Sequence, residues 1–269
     1  MADPGTVDPT AYDNADFIPG GPAYYDRWAR ASAAFRAGHP AARLGLPYAD
    51  HPREAADLFL PEGPPAGLVV FVHGGFWRMG GRELFSHLAA GPVAAGWACA
   101  LPSYPLCPEA RIAGITRSLA RAVTALACAV PGPILLAGHS AGGHLALRMV
   151  CPDAALPPSV TARIAGVLAI SPLADLAPLI PLPMNADLRL DAAEARAESP
   201  VHHPAPRLPV LVEAGTGERP AFLAQALAVA DAWPAAQLTL AAHRHHFDVI
   251  APLGEAGSPM LRRLLALAA

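Results

Sequence analysis

The sequence predicts an α/β fold, a mostly parallel central sheet with helices on both faces, and three observations carry that expectation. From residue 67 onward, short apolar runs alternate with segments of helical composition, the rhythm of successive βαβ units. The run PILLAGHSAGGHLALRMVC at 133–151 passes from a buried strand through a glycine-framed turn directly into a helix. An earlier buried run, GLVVFV at 67–72, ends in HGGFW at 73–77, a second glycine-rich loop after a strand of the same sheet.

Taken in order, residues 1–20 lack periodicity and carry Pro4, Pro9 and Pro19, so a flexible N-terminal arm without assigned chemistry is expected. Residues 21–269 form a single domain in this reading, since no charged or serine-rich linker divides them. Over 23–37, Tyr24, Trp28, Ser32 and Phe35 recur at helical spacing, an aromatic stripe read as core packing more readily than as a substrate wall. Strands follow over 55–61 and 67–73, then a helix over 82–95, a strand over 97–104, a helix over 112–130 and the 134–137 strand before the turn. Beyond the turn come a strand over 164–171, a proline-broken insertion at about 173–200 with a helical patch over 187–196, and a strand over 209–215. A helix over 220–233 opening on Pro220, a strand over 237–242 and a helix over 261–267 complete the chain. The insertion is a cap-like element at the carboxyl edge of the sheet, where specificity elements tend to sit.

Composition narrows the partners. The mean hydropathy of +0.32 is high for a soluble chain, yet alanine and 31 prolines account for much of it. Apolar stretches such as 122–137 are interrupted by Pro131 and Pro133, so no membrane span is expected. All 19 basic residues are arginines, scattered in a chain of net charge −3, which predicts no nucleic-acid or membrane partner. The acidic start lacks a secretory pattern, and Cys99, Cys107, Cys128 and Cys151 show no metal-binding spacing. A cytoplasmic location follows as the expectation. A homodimer is compatible with this reading.

The frame Gly138-His139-Ser140-Ala141-Gly142 has the G-x-S-x-G form in which a serine sits on a strained strand-to-helix turn, its hydroxyl projecting at the strand's carboxyl end. Ser140 is the candidate nucleophile. The N–H of Ala141 at the helix start, with those of Gly74 and Gly75 in the HGG loop, forms the candidate oxyanion hole. His73 is expected to fix that loop by hydrogen bonding. In this architecture the order of catalytic groups is serine, acid, histidine. The histidine is therefore sought past the last strand, in AHRHHFD at 242–248, and His246 is the candidate. Three neighbouring histidines do not converge at metal-ligand spacing, and no metal or other cofactor is expected. His139 and His144 flank the turn and are read as orienting or packing residues. Glu218, in the loop after the 209–215 strand, is the candidate acid; Glu213, inside the strand, is its rival, because a carboxylate there is costly to bury unpaired. Phe76 and Trp77, directly after the oxyanion glycines, are the candidate substrate-binding residues, expected to crowd the acyl side with at least one ring.

These motifs, with PSYPLCP at 102–108, GHSAGGHLA at 138–146, SPLADLAPL at 171–179, MNADLRLDAAEA at 184–195, ERPAF at 218–222 and HHF at 245–247, resemble bacterial α/β-hydrolases of the kynurenine formamidase (arylformamidase) type, neighbours of hormone-sensitive-lipase-like esterases. The resemblance covers most of the chain from about residue 20. It implies a cofactor-independent serine hydrolase with Ser140, Glu218 and His246 as the triad, acting on a small-molecule acyl amide or ester such as N-formylkynurenine. Ala221 stands where the family carries an acidic residue, and glutamate at 218 where aspartate is common. A short-chain carboxylesterase shares every named residue, and a non-catalytic ligand-binding homologue is the third alternative.

Overall fold

The computed structural model describes residues 8–269. Eight strands form one sheet in the order β1-β2-β4-β3-β5-β6-β7-β8: β1 Ala42–Pro47, β2 Ala55–Phe59, β3 Leu68–Val72, β4 Ala98–Pro102, β5 Ile134–His139, β6 Ile164–Ile170, β7 Val210–Gly215 and β8 Gln237–Ala241. The pairs β1/β2 and β2/β4 are antiparallel, and every pair from β4 through β8 is parallel. The parallel part therefore presents all its carboxyl ends along one edge, where loops from several strands converge.

Six helices matter for the site: α1 Ala23–Gly38, α2 Ile112–Ala129, α3 Ala141–Arg148, α4 Ala192–Glu198, α5 Pro220–Ala232 and α6 Pro259–Ala266. Side chains alternate across the sheet, so Val70, Val72 and Leu136 pack with Ile115 and Leu119 of α2, Leu145 of α3 and Phe222 of α5. Their neighbours Val69, Phe71 and Leu135 pack on the opposite face with Trp28 of α1 and Leu261 and Leu264 of α6. Both faces of the central strands are covered, which is why those strands read as continuous apolar runs. The α2 helix has the length and apolarity of a membrane span by composition, yet 56% of it is buried inside the fold. Its Pro131 and Pro133 boundary lies just past the helix end, so the prolines limit the helix without shortening it below that length.

Three differences from the sequence-based expectation stand out. Strand β1 was not foreseen: it is an edge strand with exposed Arg43, Leu44 and Gly45 and so lacks an apolar signature. The 82–95 helix is divided into short turns at Arg82–Phe85, Ser86–Ala89 and Ala90–Ala94. The expected flexible arm at 1–20 is packed over its described part, 8–20, where Tyr12 and Ile18 are buried; residues 1–7 lie outside the described residues. Tyr12 meets Phe222 edge-on at 5.4 Å and accepts a hydrogen bond from Gln225 Nε2 at 2.9 Å. Two isolated apolar residues among prolines and aspartates carry no periodic signal, although each fills a gap in the core.

The 173–200 insertion docks through charge. Arg148 of α3, 2% exposed, donates to Glu198 of α4 at 3.1 Å and to both oxygens of Asp153 at 2.8 Å. Thr116 of α2 donates to the same Glu198 oxygen at 2.6 Å. A buried guanidinium with paired carboxylates fixes relative position, and removal of one partner leaves an uncompensated charge. Beside it, His144 Nε2 donates to Glu198 O at 2.7 Å, so the helix that follows the turn is tied to the cap.

Candidate active site

The turn between β5 and α3 is tight because both flanking glycines allow backbone contact. A Cβ on Gly138 would lie 2.1 Å from Gly142 O, and one on Gly142 would lie 2.0 Å from Val72 O. Ser140, between them, has φ 57 and ψ −121, a strained conformation held by Ser140 N–H donating to Ile170 O at 2.9 Å and by His144 N–H donating to Ser140 O at 3.0 Å. Ala141 is the first residue of α3, so its N–H has no acceptor within the helix and points toward the serine end.

His246 and Glu218 meet, as the sequence order suggested. His246 Nδ1 donates to Glu218 Oε2 at 2.7 Å, and both side chains are buried. The other carboxylate oxygen, Oε1, accepts from Ser171 Oγ at 2.5 Å and from Gly215 N–H at 2.7 Å. Burial pushes the Glu218 carboxyl up, but the His246 charge, its hydrogen bond and the donors Ser171 and Gly215 outweigh this, and the net shift is downward. Glu213, the rival, is elsewhere: its side chain faces Arg263 of α6 at 3.4 Å, and burial raises its carboxyl pKa. Glu218, in the loop beyond the end of β7, thus turns to His246, whereas Glu213, inside β7, turns to α6.

The His246 ring lies between two others, 4.1 Å from Phe222 and 4.5 Å from His139 by centroid. His139 Nε2 donates to His246 O at 2.8 Å, which leaves Nδ1 as the unprotonated nitrogen. Burial, then the nearby His246, hold the His139 pKa well below the ordinary value, so the ring is neutral. His245 points away, its Nε2 within 3.1 Å of Tyr24 Oη and its Nδ1 accepting from the N–H groups of Phe247 and Asp248. The backbone N–H of His243 donates to Thr216 Oγ1 at 2.9 Å. Among the described residues no group of three or more His, Cys, Asp or Glu is placed to hold a metal ion.

In the HGG loop, Gly74 lies against the serine: a Cβ there would be 3.1 Å from Ser140 Cβ and 2.9 Å from His139 O. Among the described residues, neither the Gly74 nor the Gly75 N–H donates to a protein acceptor, so both are available to a developing negative oxygen. His73 Nδ1 donates to Gly74 O at 2.7 Å, with Tyr104 stacked on its ring at 4.3 Å. Burial lowers the His73 pKa to about 4, so it is neutral in ordinary buffers. Gly75, Phe76 and Trp77 all have positive φ, a strained run that turns one ring outward and the next inward. Phe76 lines the cavity in front of Ser140. Trp77 does not: it is fully buried and meets His144 edge-on at 5.0 Å, so its expected substrate-binding role is corrected to packing beneath the loop.

The cavity has a volume of about 210 Å³ and contains Ser140, His139 and His246 with Gly74, Gly75 and Phe76. Ser140 and His246 share it without a direct hydrogen bond, an arrangement that often tightens only when substrate is bound. Its outer wall comes in part from elements given no site role in the sequence, residues 12–16, Tyr25 of α1 and Met79, and in part from Phe247 and from Met184 of the insertion, whose place at the carboxyl edge was expected. The α1 stripe of Trp28 and Ser32 is core, as expected, whereas Tyr25, one position off that stripe, reaches the site.

A family model described as alpha/beta hydrolase family matches residues 69–267. Kynurenine formamidase of Salmo salar is 28% identical over 162 residues, which cover 58% of this chain and 54% of that protein. The corresponding protein of Danio rerio is 27% identical over 162 residues, 58% and 55% of the two chains. The chain thus spans about half the length of the curated relatives it matches. A crystal structure from Silicibacter sp. TM1040, of a protein provisionally named a thioesterase, has a TM-score of 0.93 at 48% identity, covering 95% of this chain and 97% of that one. Esterase B of Lactobacillus rhamnosis has a TM-score of 0.68 at 20% identity over 91% of this chain and 94% of that chain, a likeness of fold.

Proposed function

The chain belongs to the alpha/beta hydrolase family, and from that premise we propose that it is a serine hydrolase that cleaves a small acyl group through an acyl-enzyme, with an aryl formamide such as N-formylkynurenine as its substrate class. Ser140 Oγ attacks the carbonyl while His246 Nε2 takes its proton; Glu218 holds the Nδ1–H and stabilises the imidazolium. The N–H groups of Gly74, Gly75 and Ala141 receive the oxyanion. His246 then returns the proton to the leaving nitrogen, and water, activated by the same imidazole, releases the acid.

One observation carries the choice of acyl group: the cavity around Ser140 is only about 210 Å³, with Phe76 on its wall. Ligand pockets commonly run from about 300 to 1,000 Å³, so a small acyl unit joined to a planar leaving group suits it better than a long chain. The identity to kynurenine formamidases supports the same substrate class. A short-chain carboxylesterase or thioesterase is the second reading, favoured by the 48% identity to the Silicibacter protein. Measuring kcat/KM for formyl, acetyl and butyryl derivatives of one aromatic amine and one phenol separates them. The proposal expects a steady fall from formyl to butyryl, each methylene changing discrimination by about 1–3 kcal/mol. A preference for butyryl esters without detectable deformylation would reject it in favour of the esterase reading.

A further inference from the structure

We propose that Tyr104, anchored by Arg53, is a positioning residue of the oxyanion hole. Its hydroxyl pins the carbonyl of His73, and its ring holds the imidazole that pins the carbonyl of Gly74, so the N–H groups of Gly74 and Gly75 keep one fixed direction. The inference rests on the reading of Ser140 as nucleophile and of those two N–H groups as oxyanion donors.

A trans peptide is planar, and its C=O and the N–H of the next residue point in opposite directions. Holding one carbonyl therefore sets the direction of the N–H that follows it. Tyr104 Oη donates to His73 O at 2.8 Å, on the peptide that carries the Gly74 N–H. His73 Nδ1 donates to Gly74 O at 2.7 Å, on the peptide that carries the Gly75 N–H. Each proposed oxyanion donor is thus set by a hydrogen bond at the far end of its own peptide plane.

Tyr104 is the tyrosine of the PSYPLCP run, just past the end of β4, and it is fully buried. A phenylalanine would fill the same space; the hydroxyl is what packing does not require, because it is costly to bury unless bonded. Burial holds the phenol pKa far above its ordinary value, so the hydroxyl stays protonated and remains a donor. The Tyr104 ring stacks on His73 at 4.3 Å with the planes 7° apart, and Phe85 lies parallel to the same imidazole at 6.1 Å. The other imidazole nitrogen, Nε2, has no hydrogen-bond partner among the described residues, so no competing bond turns the ring away from Gly74 O.

Arg53 ties this tyrosine to the far end of the oxyanion loop. Its Nε donates to Tyr104 O at 2.8 Å and its Nη2 to Gly80 O at 2.7 Å. A Cβ on Gly80 would lie 3.0 Å from both Gly74 O and His73 Nδ1, so the loop closes tightly over the pinned peptide. From the same segment as Tyr104, Cys107 N–H donates to Trp77 O at 2.8 Å. Such a grip has a physical reason: Gly75, Phe76 and Trp77 all have positive φ, and strained backbone persists only where its surroundings over-determine it.

The test uses the full-length protein with trifluoroacetophenone and acetophenone as probes. Ser140 Oγ adds to the carbonyl carbon of the fluorinated ketone, the Oγ proton passes to His246, and the carbonyl π pair becomes an alkoxide in the hole. Acetophenone is far less electrophilic and reports binding without an oxyanion. Tyr104→Phe keeps the ring and removes the hydroxyl. It is expected to lower kcat for phenyl acetate about tenfold or more at nearly unchanged KM, since outright removal of an oxyanion donor costs on the order of 10²–10³-fold. The inhibition constant of trifluoroacetophenone should rise by a similar factor while that of acetophenone stays the same. In the adduct of the carbonyl-labelled ketone, followed by carbon NMR, the pH at which the alkoxide is protonated should move upward, a shift that loss of packing alone does not produce. Arg53→Met leaves the phenol in place and should move the same quantities in the same direction by about threefold, which keeps the test open if Tyr104→Phe fails to fold. An adduct at Ser140 whose affinity and titration match wild type in every folded variant would overturn the inference and leave the hydrolase reading intact. Equal weakening of the two ketones would also overturn it, by showing that Tyr104 only packs. Absence of both turnover and adduct in the wild type would overturn the hydrolase reading, and the inference with it.

Discussion

His139 donates its Nε2–H to the backbone carbonyl of His246 at 2.8 Å, and the two imidazoles lie 4.5 Å apart by centroid. The residue inside the strand-to-helix turn thus anchors the loop that carries the proposed base. Its own burial keeps it uncharged, so an imidazolium can form on His246 without a second cation beside it.

Replacing His139 by leucine removes that anchor and leaves the His246 carbonyl unpaired, a cost of about 1–3 kcal/mol. The expected result is a fall in kcat of about tenfold with little change in KM, measured on protein shown to be folded by circular dichroism. A kcat equal to wild type would remove His139 from the positioning of His246.

The two candidate acids, Glu218 and Glu213, should respond in opposite ways to amidation. Glu218→Gln is expected to lower kcat on the order of 10³-fold or more, because the histidine loses the partner that fixes its tautomer. Glu213→Gln should leave kcat near wild type and raise the melting temperature at neutral pH. The sign follows from linkage: burial raises the folded pKa of Glu213 above its unfolded value, so its contribution is most favourable below the unfolded pKa and is lost as pH rises through the folded one. The gain from Glu213→Gln should therefore fade below about pH 4. Melting curves at pH 4 and pH 8, with kinetics for both variants, check the pair; the reverse order of kcat losses would move the acid into the strand.

Ser171, fully buried with φ 45, gives its hydroxyl hydrogen to Glu218 Oε1. That bond helps to lower the Glu218 pKa, so its loss in Ser171→Ala raises the pKa and protonates the carboxylate at higher pH. The acid limb of kcat/KM should move upward in pH, and Ser171→Gly, which accepts the same positive φ, should move it equally. An unshifted limb with an intact fold would show that Ser171 only packs.

Acid should destabilise the fold through histidines that are buried and uncharged. Burial lowers both His73 and His144 to about 4, below the unfolded value of about 6.5. Between these values the unfolded chain binds more protons, so stability falls as pH drops from about 6.5 to 4. Each pKa unit corresponds to about 1.4 kcal/mol, which places the joint effect at several kcal/mol. Urea unfolding across this window should show a steep decline with proton uptake on unfolding, and a flat profile would contradict the burial argument.

Much of this site was legible because its motifs are local. The G-x-S-x-G turn and the HGG loop each follow a continuous apolar strand, and both lie at the carboxyl edge of the parallel sheet. Helix α1 and the strands from β2 onward announced themselves through periodicity or apolar runs. What was missed depends on distant contact. Ser171 and Glu218 are 47 residues apart, and nothing near either one signals the bond. Trp77 and Phe76 are adjacent aromatics of similar character, and only the positive φ angles of the loop decide which ring enters the cavity. The segment at 12–16 looks like a polar tail until Tyr12 is seen packed on Phe222. Strand β1 escaped because an exposed edge needs no apolar pattern.

The central claim is that Ser140 is the nucleophile, and the most direct measurement is mass-spectrometric mapping of the adduct formed with a small fluorophosphonate. The account predicts one stoichiometric adduct on the peptide containing Ser140, concurrent loss of activity, and no adduct on a folded Ser140→Ala protein. Activity that survives complete modification of Ser140, or inactivation by an adduct at another residue with Ser140 unmodified, would contradict it.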